Sequence, residues 1–211
     1  MFVLTLIRQT VRVPADKFKL AIDQAIAEEL NLKFANKVVL NVGLCIALWD
    51  ITKRGKSFIL PSDSGHHTKV ELRLVVFRPF LDEILVGKIK SCNKDHVQVT
   101  LSFFDDIFIP AEYLPDNSKF VEEENLWAWV YQNDGGTHEM FMEIGADIRF
   151  KVMDEMFLDT TPTGPGVGDS VSADAVPKEN KQISYRITGS IKDPGLGLLS
   201  WWMADDTPED E

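Results

Sequence analysis

Cysteine is nearly absent from this 211-residue chain, which holds only Cys45 and Cys92. Both sit in apolar, strand-like runs, so two reduced, buried thiols are expected rather than a disulfide framework. No C-x-x-C or H-x-x-x-H spacing exists, and His66, His67, His96 and His138 therefore read as solvated loop residues, with no metal centre. Long apolar runs are missing too. No apolar run of about 18 residues could cross a bilayer as a helix, and the N-terminal Met-Phe-Val-Leu-Thr-Leu-Ile is too short and too alternating for a signal segment. It reads as the first strand of an intracellular protein with no membrane contact. Gly164-Pro-Gly-Val-Gly168 resembles a phosphate loop in glycine content alone, because no Lys-Ser/Thr follows and no helix opens there. The acid pairs Asp82-Glu83, Asp105-Asp106 and Asp154-Glu155 are sequence neighbours, so on a strand they point to opposite faces and cannot share a substrate. No enzyme, cofactor or small-molecule substrate is expected.

What the chain does have is enough apolar content, 45%, for two packed cores of roughly 100 residues each. Its net charge of -11 is unevenly spread. Residues 1–80 carry 12 basic and 7 acidic side chains, and residues 81–211 carry 10 and 26. Two readings stand: two solvated surfaces, or a basic half that docks an acidic or phosphate-bearing partner beside an acidic half facing something else.

The organising stretch is residues 68–90. Val70, Leu72, Leu74 and Val76 alternate with Lys69, Glu71, Arg73 and Val75, the period of a half-buried strand that Pro79 stops. Beyond it Ile84, Val86 and Ile89 open a second strand, with Gly87 as a bend or bulge. Residues 78–83 are expected to join two domains in a fixed mutual orientation, since they have too few polar or glycine residues for a tether.

Before the joint, Phe2 to Val13 reads as a strand. Asp16 is a plausible N-cap for a helix from Lys17 to about Leu32, with Phe18, Ile22, Ala25, Ile26 and Leu30 on one stripe. Lys37 to Thr52 follows as a strand or strand pair, Arg54-Gly-Lys56 as a turn, and Phe58-Ile-Leu60 as a short strand. After the joint come short strands at Ile84 to Lys90, Val97 to Leu101, Ile107 to Ile109, Leu126 to Tyr131, Ile148 to Val152 and Tyr185 to Ile191. A helical turn is expected at Pro110 to Leu114 and turns at 133–136 and 145–147, which together suggest a small β-barrel. Residues 159–182 and the acidic stretch from Ala204 are expected to be disordered. No internal repeat is evident. Phe103, Phe104, Phe108, Trp127, Trp129, Trp201 and Trp202 concentrate in the barrel half, where they serve either as core or as platforms for unpaired bases. Two adjacent tryptophans cannot easily both be buried in one small module, so Trp201 or Trp202 is expected to pack on a neighbour.

Several runs, in this order and spacing, resemble the larger stalk subunit of archaeal and eukaryotic RNA polymerases, most closely that of RNA polymerase III. They are Asn41-Val-Gly-Leu-Cys-Ile46, Leu60-Pro-Ser-Asp63, Val75-Val-Phe-Arg-Pro-Phe80, Gly87-Lys-Ile-Lys-Ser-Cys92, Phe103-Phe-Asp-Asp-Ile107, Gly189-Ser-Ile191 and Gly195-Leu-Gly-Leu-Leu-Ser-Trp-Trp202. The resemblance implies an α+β protein: a truncated RNP-like tip domain over 1–80, with a small antiparallel sheet and one helix, then an S1-type OB-fold barrel over 81–204 and an acidic tail at 205–211. It further implies a non-catalytic nuclear subunit that pairs with a smaller helical stalk subunit, docks on RNA polymerase III core subunits and meets initiation factors. Matching motifs carry core docking to Asn36, Lys37, Val42, Gly43, Leu60, Pro61 and Asp63. The chain departs from nucleic-acid-binding S1 modules at Asp95-His-Val-Gln-Val99, where the usual Gly and aromatic are lacking. Single-stranded RNA is therefore expected to bind weakly, through Lys88, Lys90, Lys94 and His96. The alternatives are a free-standing S1-class RNA-binding module and, formally, a metal-dependent hydrolase.

Overall fold

In a computed structural model of the protein, described for residues 1–133, 136–158 and 183–202, the chain divides into two units, Met1–Pro79 and the part from Phe80 onward. The turn expected at 133–136 lies partly outside the described residues, and the segments expected to be disordered at 159–182 and from Ala204 lie wholly outside them.

The first unit begins with β1 (Phe2–Val13), whose odd-numbered residues turn inward and end at the buried Val11 and Val13. A 3-10 turn at Ala15–Lys19 precedes α1 (Ile22–Phe34). The helix thus starts later than the Lys17 expected from sequence, and Asp16 does not cap it. Leu20 is extended, with φ -83° and ψ 159°, which interrupts the helical path. Lys17 Nζ folds back to Glu29 and Glu28 at 2.9 and 3.2 Å. In one continuous helix those residues would lie about 16 Å apart along the axis.

Beyond α1 come β2 (Lys37–Val39), β3 (Gly43–Ile59) and β4 (His66–Phe77), in an antiparallel sheet of order β1-β4-β3-β2. Helix α1 packs across it on β1 and β3. Ala25, Ile26 and Leu30 of the helix meet Val11, Val13, Cys45, Val70, Leu72, Leu74 and Val76 of the sheet. Strand β3 runs through the turn expected at Arg54-Gly-Lys56 and absorbs the strand expected at Phe58. It does so with four register shifts against β4, the last between Arg54 and Ser57. Sixteen residues of β3, Leu44 to Ile59, oppose the twelve of β4, so the surplus is taken up as bulges, and the hydrogen-bonded partner overrides the local turn signal.

The second unit is built from β5 (Ile84–Cys92), β6 (His96–Thr100), β7 (Ile107–Pro110), β8 (Ser118–Val121), β9 (Leu126–Asn133), β10 (Gly136–Phe141), β11 (Asp147–Phe157), β12 (Tyr185–Ser190) and β13 (Gly197–Leu198). Strands β5, β6, β7, β11 and β12 form a closed five-stranded barrel consistent with an OB-fold, in which β12 runs parallel to β7 and antiparallel to β11. Ile89, Val97, Val99, Ile107, Ile109, Ile148, Phe150, Val152 and Ile187 fill it. The expected helical turn is present at Ala111–Tyr113. Gly87 is not the bulge expected of it: it pairs regularly with Ile148, and the irregularity lies between Ile89 and Ser91. Glycine is needed there because a Cβ would sit 2.7 Å from Val99 Cγ1 and 2.8 Å from Thr100 O. Strands β8, β9 and β10 form a separate three-stranded sheet inserted between two barrel strands; β8 and β10 lack the polar–apolar alternation that would show them in the sequence. Trp127 is buried there and donates to Asn93 O at 2.8 Å. A closing 3-10 turn, Leu199–Trp202, packs Trp201 against Trp129 within the same unit and leaves Trp202 48% exposed.

Truncating the fully buried Leu72 in Leu72→Ala is expected to lower stability by about 3 kcal/mol. Leu6→Ala, at a 58% exposed position of β1, should change it by no more than about 0.5 kcal/mol. Urea denaturation of both variants checks the inward and outward faces of the sheet.

Candidate docking and nucleic-acid surfaces

The residues proposed from sequence for docking do not come together. They lie at the two ends of the first sheet, separated by the length of β4, on the order of 35 Å. At one end, Asn36 adopts a left-handed φ of 55° and its N–H donates to Cys45 O at 2.8 Å. Lys37 Nζ donates to Leu32 O at 3.3 Å, covering a free carbonyl near the helix C-terminus. Val42 packs against the core, half-buried. Gly43 is buried with φ 129°, and a Cβ there would meet Phe77 O at 2.6 Å. Most of what these residues contact is the fold itself.

At the other end, the loop from Leu60 to Gly65 is organised by Asp63. Its carboxylate accepts from Arg12 Nη2 at 2.6 Å and Arg12 Nε at 2.9 Å, and from the Gly65 N–H at 2.9 Å, with His67 Nε2 2.8 Å away. These partners, the Arg12 guanidinium first, hold the Asp63 carboxyl far below the usual carboxylate range. Ser62 is held at φ 73°. Asp63 therefore faces inward to the loop, while Leu60 and Pro61 are left exposed.

Around them sequence reasoning missed exposed apolar side chains, which lie on both faces of this end of the sheet because they flank the consecutive strand residues His66 and His67. Phe18 is 48% exposed and stacks on His66 at 5.3 Å; Phe58 is 41% exposed and stacks on His67 at 5.7 Å; Ile59 is 67% exposed. The helix assigned from Lys17 had hidden Phe18, by counting it into the buried stripe. His66 and His67 are not solvated loop residues but the half-buried start of β4, where the register needs them opposite Val13 and Arg12. On the outer side of the same sheet, an open depression of about 530 Å³ is lined by Arg8, Lys53, Arg54 and Lys69 around Glu71. Arg8 and Lys53 reach Glu71 at 2.9 and 3.5 Å, leaving an excess of positive charge.

On the barrel, each lysine proposed for RNA binding already has a carboxylate. Lys88 lies 3.5 Å from Asp147, Lys90 2.8 Å from Asp105 and Lys94 3.8 Å from Glu122. Burial pushes the His96 imidazole below its usual range, which disfavours the charged form that would meet phosphate. His96 instead stands edge-on to Phe108 at 5.0 Å, and the Arg186 guanidinium lies over the same Phe108 ring, 4.8 Å from its centroid. The aromatic missing from β6 is thus supplied by β7. Its signal was present in Ile107-Phe-Ile109, where two buried isoleucines force Phe108 to the outer face. Among the described residues, no three His, Cys, Asp or Glu side chains gather where they could hold a metal ion.

A sheet-plus-helix unit followed by a closed five-stranded barrel defines a two-domain class, and comparison with known families agrees in both parts. The model for the SHS2 domain found in the N terminus of Rpb7p and Rpc25p matches residues 8–65, and the model for RNA polymerase III subunit Rpc25 matches residues 83–202. The chain belongs to the RNA polymerase III subunit Rpc25 family. It is 52% identical over 203 residues to DNA-directed RNA polymerase III subunit RPC8 of Bos taurus, covering 96% of this chain and 98% of that one. RPC8 of Saccharomyces cerevisiae is 34% identical over 214 residues, covering 96% and 100%. The archaeal polymerase subunit Rpo7 of Sulfolobus acidocaldarius is 22% identical over 201 residues, covering 95% and 94%.

Replacing Asp63 with asparagine should raise amide exchange at Gly65 by roughly tenfold while leaving the barrel's exchange unchanged. The sign of the pH effect follows from a depressed carboxyl: its contribution is full above the unfolded carboxylate value, about 4, and is lost only as pH falls toward the folded one. The stability gap between wild type and Asp63→Asn, followed by urea denaturation from pH 7 downward, should stay constant to about pH 4 and narrow below it.

Proposed function

We propose that this chain is the larger, non-catalytic stalk subunit of nuclear RNA polymerase III. The observation that carries the reading is the near-full-length similarity to subunits named for that polymerase. The fold supplies the means. The far end of the first sheet, with Leu60 and Pro61 beside Phe18, Phe58 and Ile59 and the basic depression behind them, has the apolar centre and charged rim of a docking tip. It inserts into an acidic-rimmed recess of the core enzyme, while Asn36, Lys37, Val42, Gly43 and Asp63 keep the sheet ends in shape for it. Leu4 and Leu6, 50% and 58% exposed on the outer side of β1, suit the apolar face of a smaller helical partner subunit. With that partner the subunit aids recruitment of initiation factors and guides the emerging transcript.

RNA contact in this reading is weak and salt-sensitive, because Lys88, Lys90 and Lys94 are paired with carboxylates and the unit is acidic overall. Its centre is the Phe108–Arg186 platform. The free-standing S1-class RNA-binding module is the competing account.

Two experiments separate them. Tagged protein purified from cell extract at moderate salt should bring down the other polymerase subunits, and Leu60→Asp with Ile59→Asp should lose them. Recovery of RNA alone would favour the free S1 module. For an oligouridylate probe, Phe108→Ala should weaken binding by about 1–3 kcal/mol, while Lys90→Ala, which frees Asp105 from its partner, should change it far less than Arg186→Ala in fluorescence anisotropy titrations.

A further inference from the structure

The first sheet has two edges, and only one of them is guarded. On the outer side of β3, strand β2 pairs with residues Gly43 to Cys45, Asn31 Oδ1 of helix α1 accepts from the Leu48 N–H at 2.9 Å, and four register shifts against β4 break the line of backbone groups further along. Bulges and covering groups of this kind keep a sheet edge from recruiting another strand. Strand β1 has none of them. Its twelve residues pair with β4 without a register shift, Pro14 lies beyond its end, and none of its inward-facing residues is charged. Among the described residues no strand lies on its other side.

One bond fixes which way the backbone groups of β1 point. Met1 O accepts from Arg78 N at 3.0 Å, so the odd-numbered residues are the ones that exchange hydrogen bonds with β4. The N–H and C=O groups of Leu4, Leu6, Arg8 and Thr10 therefore face the open edge, in pairs about 7 Å apart. Thr10 O accepts from the side-chain amide of Gln9 at 3.2 Å, a local donor standing where the N–H of a neighbouring strand would be.

The chemistry of the edge selects its occupant. Each outward N–H has an outward C=O beside it, so the partner must both donate and accept, as a peptide backbone does and phosphates, which only accept, do not. Strand β1 carries Arg8 and Arg12 and no carboxylate. Arg12 is held by Asp63, but Arg8 and Lys53 share the single carboxylate of Glu71, so positive charge is left over at Arg8. Leu4 and Leu6 are 50% and 58% exposed. A second copy of β1 does not answer this pattern: two-fold pairing over the full strand would set Arg8 beside Leu6 and Thr10 beside Leu4, and it brings no carboxylate.

We propose that β1 takes up an extended segment of another protein as a fifth strand of this sheet, with apolar residues beside Leu4 and Leu6 and a carboxylate beside Arg8. Main-chain bonds hold the segment, and its alternate side chains set which segment is taken. The added strand extends the outer face of the sheet instead of covering it, so the proposal does not rest on what lies against that face.

The test uses the full chain and the peptide acetyl-Ser-Thr-Glu-Val-Glu-Thr-Val-Thr-Leu-amide, which in antiparallel pairing sets its carboxylates beside Thr10 and Arg8 and its valine and leucine beside Leu6 and Leu4. In the free chain, amide exchange followed by NMR should be fast at Leu4, Leu6, Arg8 and Thr10 and slow at Val3, Thr5, Ile7 and Gln9, and the peptide should slow the first set by at least roughly tenfold. Methylating the nitrogens of the third, fifth and seventh peptide residues, which face β1, should weaken binding by at least roughly tenfold; methylating the fourth, sixth and eighth, which face away, should leave it unchanged. Glutamine in place of both glutamates should weaken it about threefold. Leu6→Pro removes an N–H that β4 does not use, so the sheet should persist while the peptide is lost. Slow exchange of both sets in the free chain, no slowing by the peptide, equal binding of the two methylated peptides, a concentration-dependent dimer that protects Leu4 to Thr10, or the same protection by oligouridylate would each overturn the proposal. The methylated pair changes only the ligand, so the result stands even if the proline variant folds poorly.

Discussion

A buried strand must give its backbone N–H and C=O groups to a neighbour, and in this protein two strands meet that requirement for most of the others. In the first unit β4 pairs along its whole length with β1 on one side and with β3 on the other. In the second, β11 pairs with β5, β12 and β13. The long irregular β3 is tolerated because β4 is regular, and the barrel closes because β11 is long enough to pair with β5 over Asp147–Lys151 and also to take β13 at Ile148 and Arg149 and then β12 from Lys151 to Phe157. Side-chain packing then distinguishes the faces that this pairing has already fixed.

That ordering explains what could be read from the sequence. Strands β1, β4 and β5 were legible because one face of each is buried and the other wet, so the period of two is written in the residues. The barrel strands β6, β7 and β12 were legible for the same reason. The extent of β3 was not, since Arg54-Gly-Lys56 carries a genuine turn signal and only a hydrogen-bonded partner fixed elsewhere in the chain overrules it. The helix start was misplaced because Asp16 has the right chemistry for a cap, and nothing local reveals that Leu20 is extended. Strands β8 and β10 place their polar residues first and their apolar residues side by side, Phe120-Val121 and Met140-Phe141, so they show no period of two.

The candidate surfaces were half legible for a different reason. Motif matching identified Leu60 and Pro61, but motifs do not separate the residue that presents a surface from the one that shapes it. Asp63 and Gly43 belong to the second kind, as their contacts make plain. Counting cations pointed to Lys88, Lys90 and Lys94, but a surface lysine's meaning depends on which carboxylate lies across from it. Pairing across strands is invisible in a linear sequence, and so is the meeting of Arg186 with Phe108.

The barrel's last pairing has a consequence in time. Its sheet is closed by β12, whose parallel partner β7 lies some eighty residues earlier in the chain. A growing chain can therefore assemble the β5–β6–β7 meander, the inserted β8–β9–β10 sheet and β11 while β7 still has an open edge. For that whole interval of synthesis the apolar interior has a gap on one side. The barrel becomes a closed object only once Tyr185–Ser190 has left the ribosome, so its strand pairing of greatest sequence separation is also the last that chain elongation permits.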